Sequence, residues 1–88
     1  MPNWELKRTD AFLKDIKKHR ANHELFIELD KKIQRLKEDP ISIGGNLAGN
    51  LYGHKSTRLA KNFRLIFSID QMNKIVYLVA IDHRKDVY

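Results

Sequence analysis

The sequence predicts an α+β fold in which two N-terminal helices pack on one face of a twisted, mainly antiparallel four-stranded sheet. Three observations carry this expectation. Apolar residues recur at helical spacing up to Leu36, they follow strand patterns from Leu51 onward, and the glycine-rich stretch ISIGGNLAGNLYG separates the two regimes. With 88 residues the chain makes a single domain, 1–88, with one modest core.

The elements follow in order. WELKRT reads as a short first strand. Thr9 is placed to cap a helix over DAFLKDIKKH, with Phe12, Leu13 and Ile16 on one face and an end near Arg20. Asn22 is placed to cap a second helix whose apolar stripe is Leu25, Phe26, Leu29, Ile33 and Leu36, with Glu28 pairing Lys32 at i,i+4. Pro40 stops it, because the residue before a proline is pushed out of the helical region. Strands are expected at about residues 51–59, 62–70 and 74–82, with DQMNK as the hairpin turn between the last two. Phe63, Leu65, Phe67 and Ile69 alternate onto one face, so Arg64 between them should point to the other. The run from Ile75 to Ile81 is apolar on both faces and should be central. Trp4 and Tyr77 read as core residues.

Composition excludes several function classes. There is no cysteine, hence no disulfide framework and no thiolate metal cluster, which suits a reducing cytoplasm. The first residues lack a signal-peptide apolar stretch and no window approaches a membrane span, so a cytoplasmic protein without membrane attachment is expected. The glycine-rich stretch is followed by no Gly-Lys-Ser/Thr, which leaves no P-loop, and no cofactor is expected. His54 and His83 have no acidic or histidine cluster at ligand spacing, so no metal site is expected either.

Seventeen Lys and Arg against eleven Asp and Glu give a formal charge of +6. The excess is uneven: residues 1–50 carry 10 basic and 8 acidic side chains, net +2, and residues 51–88 carry 7 and 3, net +4. A phosphate-bearing partner is the natural complement of such a surface. The second-half basic residues His54, Lys55, Arg58, Lys61, Arg64, His83, Arg84 and Lys85 come from three strand regions that a meander sets side by side. Metal-free RNA cleavage needs a base for the ribose 2′-OH, fixed positive charge on the phosphorane oxygens and an acid for the leaving 5′-oxygen. Lysine, arginine, histidine and tyrosine supply all three. Arg64 can alternatively pair with Asp70 or Asp82, and Tyr88 can serve as an apolar plug or as a ring that stacks on a base.

The run LAGNLYGHKSTRLAKNFRLIFSID followed by IVYLVAIDHRKDVY resembles the RelE/ParE superfamily of type II toxins, and within it the RelE and YoeB branches. GHKSTRLAKNFRLIF is similar to the YoeB-type Gly-x-x-Ser-x-Arg-Leu/Ile pattern with Arg-Leu-Val/Ile-Tyr/Phe downstream, and HRKDVY to the basic RelE tail ending in Glu/Asp-Val-Tyr. The resemblance implies a toxin of a toxin–antitoxin system: an endoribonuclease that cuts mRNA in the A site of the small ribosomal subunit and is blocked by a cognate antitoxin. By position, Arg64 would stabilise the phosphate, Tyr88 would position the base, and His83 or Arg84 would be the general acid. The YoeB glutamate base is unmatched by IGGNLAG, which leaves Lys55, His54 and Lys61 as candidates for the base. Arg58, Lys61, Lys85 and His54 would bind RNA. The alternatives are a ParE-like inhibitor of DNA gyrase, or an inactive member that acts through its antitoxin; proton-transfer groups in the tail favour cleavage.

Overall fold

A computed structural model of the chain describes residues 4–43, 45–46 and 54–83. Its elements are β1 (Glu5–Arg8), α1 (Asp10–Lys18), α2 (His23–Glu38), β2 (Gly45–Asn46), β3 (Lys55–Arg58), β4 (Phe63–Asp70) and β5 (Ile75–His83). The sheet order is β1-β5-β4-β3-β2. β1 runs parallel to β5, and the other three pairings are antiparallel. Four strands match the sequence expectation, and the two-residue β2 adds an edge that the glycine-rich composition concealed. The long apolar strand β5 is interior, as its pattern requires, because both of its edges are hydrogen-bonded.

Each helix begins where a side chain can take an orphan amide. The Thr9 Oγ1 accepts from the Phe12 N–H at 3.2 Å, and the Asn22 Oδ1 accepts from the Leu25 N–H at 3.1 Å. α2 ends at Glu38, two residues before Pro40. Its surface ion pair is Glu28 with Lys31 at 3.7 Å rather than with Lys32, a one-position change along the same helix face.

Phe12 of α1 and Leu25, Leu29 and Leu36 of α2 close over Leu65 and Phe67 of β4 and Val76, Leu78 and Ile81 of β5. Trp4 packs against this core, half-buried. Tyr77 does not join it. Its register partner is Ser68, which alternates away from buried Phe67, so the ring lies half-buried on the face opposite the helices.

α1 also completes a sheet edge. β1 pairs with β5 only as far as Leu78, and beyond that point the β5 backbone meets α1 instead. The Thr9 hydroxyl donates to the Val79 carbonyl at 2.7 Å, and the Asp15 Oδ2 accepts from the Ile81 N–H at 2.8 Å. There β5 carries a bulge: Ile66 faces Ala80 while Phe67 faces Leu78, which leaves Val79 as the extra residue. Beyond the bulge the inward and outward positions of β5 exchange, and the arrangement of the site depends on this exchange.

Candidate nucleic-acid interface

β4 positions Arg64 as its alternation requires. Phe63, Leu65 and Phe67 are buried under the helices, and Arg64 between them is half-buried on the open face. Its neighbour across β3 is Arg58 and its neighbour across β5 is Asp82, so Arg58, Arg64 and Asp82 form one row over three strands. Two guanidinium groups in directly opposed positions repel each other, by an amount of order 0.2–1 kcal/mol for a cross-strand pair. An anion between them removes that penalty, and planar donor forks suit phosphate oxygens. Asp82 occupies the position that an Arg64 ion pair would need. Asp70 does not: its carboxylate sits six residues along β4 and accepts from the Asn73 amide groups.

The β3–β4 turn lies at the same end of the sheet. Leu59 donates to the Phe63 carbonyl and Phe63 to the Ala60 carbonyl, which closes a tight turn with the exposed Lys61 at φ 41°. A lysine in this left-handed region costs about 1–2 kcal/mol that a glycine would not. The turn retains a charged side chain beside Arg58 and Arg64 despite that cost.

Two expected members of the basic hollow are elsewhere. His83 was expected in one patch with Arg64; simple alternation from Leu78 would turn residue 82 inward and residue 83 outward. The Val79 bulge reverses this, so Asp82 joins Arg64 and the His83 ring stacks on Phe63, on the helix side, at 4.3 Å between centroids and 9° between planes. Lys55 was expected in the same patch. It pairs in register with Phe67, which turns its side chain to the helix-covered face, and its ammonium donates to the Ile41 carbonyl at 2.7 Å. His54, directly ahead of β3, is half-buried, with a buried Nδ1 that has no hydrogen-bond partner among the described residues. Arg84, Lys85, Asp86 and Tyr88 lie outside the described residues. No group of three or more metal-ligating side chains occurs among the described residues, nor does any helix there have the length and apolarity to cross a membrane.

Sequence reasoning missed His19 and Asp15 as neighbours of this end of the sheet. His19 lies edge-on to Phe63 at 5.0 Å and to His83 at 5.7 Å. The available signal was periodic: Asp15 and His19 stand three and seven residues after buried Phe12, on the stripe that α1 turns toward the sheet.

A protein-family model described as the ParE toxin of the type II toxin–antitoxin system parDE matches residues 6–88, and the chain belongs to this family. It is therefore a toxin of a type II toxin–antitoxin system, within the RelE/ParE superfamily. Among solved structures it is similar to the toxin–antitoxin complex RelBE2 from Mycobacterium tuberculosis, with TM-score 0.76, 26% identity, and 98% of this chain and 97% of that chain covered. The YoeB/ParE toxin from Agrobacterium tumefaciens matches with TM-score 0.78 at 15% identity, over 91% of this chain and 98% of that one. The DinJ–YafQ complex from E. coli matches with TM-score 0.77 at 13% identity, over 98% and 99%. At their identities the latter two speak to the fold alone. No curated protein matches the chain.

Proposed function

We propose that this toxin is an endoribonuclease that cleaves mRNA in the ribosomal A site by metal-free acid–base chemistry, and that a cognate antitoxin blocks it. The observation that carries the reading is the Arg58–Arg64 pair, two adjacent guanidinium groups on the open sheet face with Lys61 in the adjoining turn. In the reaction a base takes the 2′-OH proton, the 2′-oxygen attacks phosphorus, the bond from phosphorus to the 5′-oxygen breaks, and an acid protonates that oxygen. Arg58 and Arg64 supply fixed positive charge where the phosphorane develops negative charge. With Lys55 turned to the helix side, His54 and Lys61 are the stronger candidates for the base. The acid falls to Arg84, because the bulge turns His83 to the helix side of the sheet, and Tyr88 and Lys85 would hold the nucleobase and strand. The ribosome supplies alignment that so small a site lacks. An antitoxin partner follows from the family and from the solved complexes of similar toxins.

Inhibition of DNA gyrase is the second reading. Two observations favour it: the matching family model is that of ParE, and Asp82 places a carboxylate directly beside Arg64. Primer extension on a translated message after pulse expression, beside a supercoiling assay, separates the two. Codon-spaced cuts that disappear in Arg64→Ala support cleavage, whereas an intact message with blocked supercoiling supports the gyrase reading.

A further inference from the structure

A regular strand turns the N–H and C=O of every second residue to the same side. The Leu78 carbonyl accepts from the Thr9 N–H at 3.1 Å, so it faces β1 and α1, and in an unbroken strand the next groups on that side would be those of Ala80. The bonds found are different. The Thr9 hydroxyl donates to the Val79 carbonyl at 2.7 Å, with a longer approach to the Leu78 carbonyl at 3.2 Å, and the half-buried Asp15 accepts from the Ile81 N–H through Oδ2 at 2.8 Å. An unbroken strand would turn the Val79 carbonyl and the Ile81 N–H away from α1, so both side chains read the bulged register directly. The core needs a bulge for its own reason: Ile81 is buried and Asp82 half-buried, whereas simple alternation from Leu78 would turn the Asp82 carboxylate under the helices. That need does not place the extra residue, because Val79 and Ala80 are both apolar. The bonds from α1 do.

We propose that Asp15 is a positioning residue of the cleavage site, acting with Thr9: the two clasp the Val79 bulge from α1 and so fix the end of β5 relative to Arg64. The inference rests on the nuclease reading above and deepens it by separating the residues that bind from those that align. Arg58, Arg64 and Lys61 belong to β3, β4 and the turn between them, and that turn is closed by the backbone bonds of Leu59, Ala60 and Phe63 without help from α1. The end of β5 is a different part of the sheet. Asp82 faces Arg64 in register there, and Arg84, the proposed acid, follows His83 directly in sequence. A bulge bends its strand and raises the local twist, so a bulge that moves or relaxes displaces what β5 carries while the arginine pair stays in place. Thr9 also caps α1 through the Phe12 N–H, which ties the start of the helix to the same point of β5. Phosphate binding and alignment of the chemistry thus depend on different elements, and Asp15 belongs to the second.

The test measures cleavage of a message on programmed ribosomes by the full chain, with kcat and KM separated, at a temperature where circular dichroism shows each variant folded. Asp15→Ala should lower kcat about tenfold to a hundredfold, the loss expected when a reacting group is displaced by about 1 Å, with KM unchanged. Asp15→Asn, which keeps an acceptor oxygen, should restore most of kcat. Ile33→Ala, a truncation in the apolar stripe of α2, controls for lost stability and should leave kcat as in wild type. In NMR spectra of the free chain, the upfield ring-current shift that the Phe63 stack gives His83 should diminish in Asp15→Ala and persist in Ile33→Ala. If Asp15→Ala does not fold, Thr9→Val against Thr9→Ser carries the same comparison, since only serine keeps the hydroxyl that meets the Val79 carbonyl. A raised KM at unchanged kcat, equal losses in the alanine and asparagine variants, equal losses in Ile33→Ala and Asp15→Ala, or equal kcat in Thr9→Val and Thr9→Ser would each overturn the proposal. Full activity of Asp15→Ala would sink the clasp and spare the nuclease. A message that the wild-type chain leaves intact would sink the nuclease reading, and the positioning role with it.

Discussion

At the scale of single residues, local hydrogen bonding decides conformations that composition leaves open. Asp70 ends β4 and accepts from the Asn73 side-chain amide at 2.9 Å and its backbone N–H at 3.2 Å. These bonds, the side-chain one foremost, hold the Asp70 carboxyl below its ordinary value of 3.8. A group lowered in the folded state contributes its stability above the unfolded pKa and loses it as pH falls through the folded one. NMR titration should accordingly show Asp70 protonating below pH 3.8, with the Asn73→Ala variant titrating higher. Lys74, at φ 56°, completes this turn in the left-handed region, and Lys61 does so in the β3–β4 turn. Replacing Lys74 by glycine should raise the urea midpoint, since it removes about 1 kcal/mol of left-handed cost less the entropy glycine adds. Lys61→Gly should stabilise similarly and weaken RNA binding, a combination expected where strain is kept for function.

At the scale of elements, the decisive feature is the bulge in β5 and the way α1 supports it. Asp15 and Thr9 satisfy β5 backbone groups that β1 is too short to reach. Asp15→Ala should leave the Ile81 N–H without its acceptor and cost about 1–3 kcal/mol in chemical denaturation. Asp15→Asn, which keeps an acceptor oxygen, should cost less. Much of this level was legible in the sequence. The caps at Thr9 and Asn22, the stop before Pro40, the turn at residues 70–74 and the interior place of β5 follow from capping chemistry, proline sterics and strand periodicity. The bulge was not legible, because Leu78, Val79, Ala80 and Ile81 are all apolar and an extra residue among them leaves no mark in the pattern. Its consequence was large: it exchanged Asp82 and His83 between faces. Lys55 was misplaced for a related reason, since the glycine-rich run ahead of it carries no alternation from which to fix a register.

At the scale of the whole molecule, the helices shield one sheet face and leave the other for Arg58, Arg64 and Asp82, while the chain carries +6 overall. On the proposed reading, the long-range field would draw in a polyanion, and the opposed arginines would fix where its phosphate rests. These two effects separate under salt. The most direct measurement is the salt dependence of RNA affinity for the wild-type chain, Arg58→Ala and Arg64→Ala, with a distant surface variant, Lys31→Ala, as the control. Each arginine that contacts a phosphate should reduce the magnitude of the log K against log salt slope by about 0.7 for a single strand, with Lys31→Ala leaving it unchanged. Slopes that stay the same in both arginine variants, or fall equally in Lys31→Ala, would contradict a phosphate clamp on the open face.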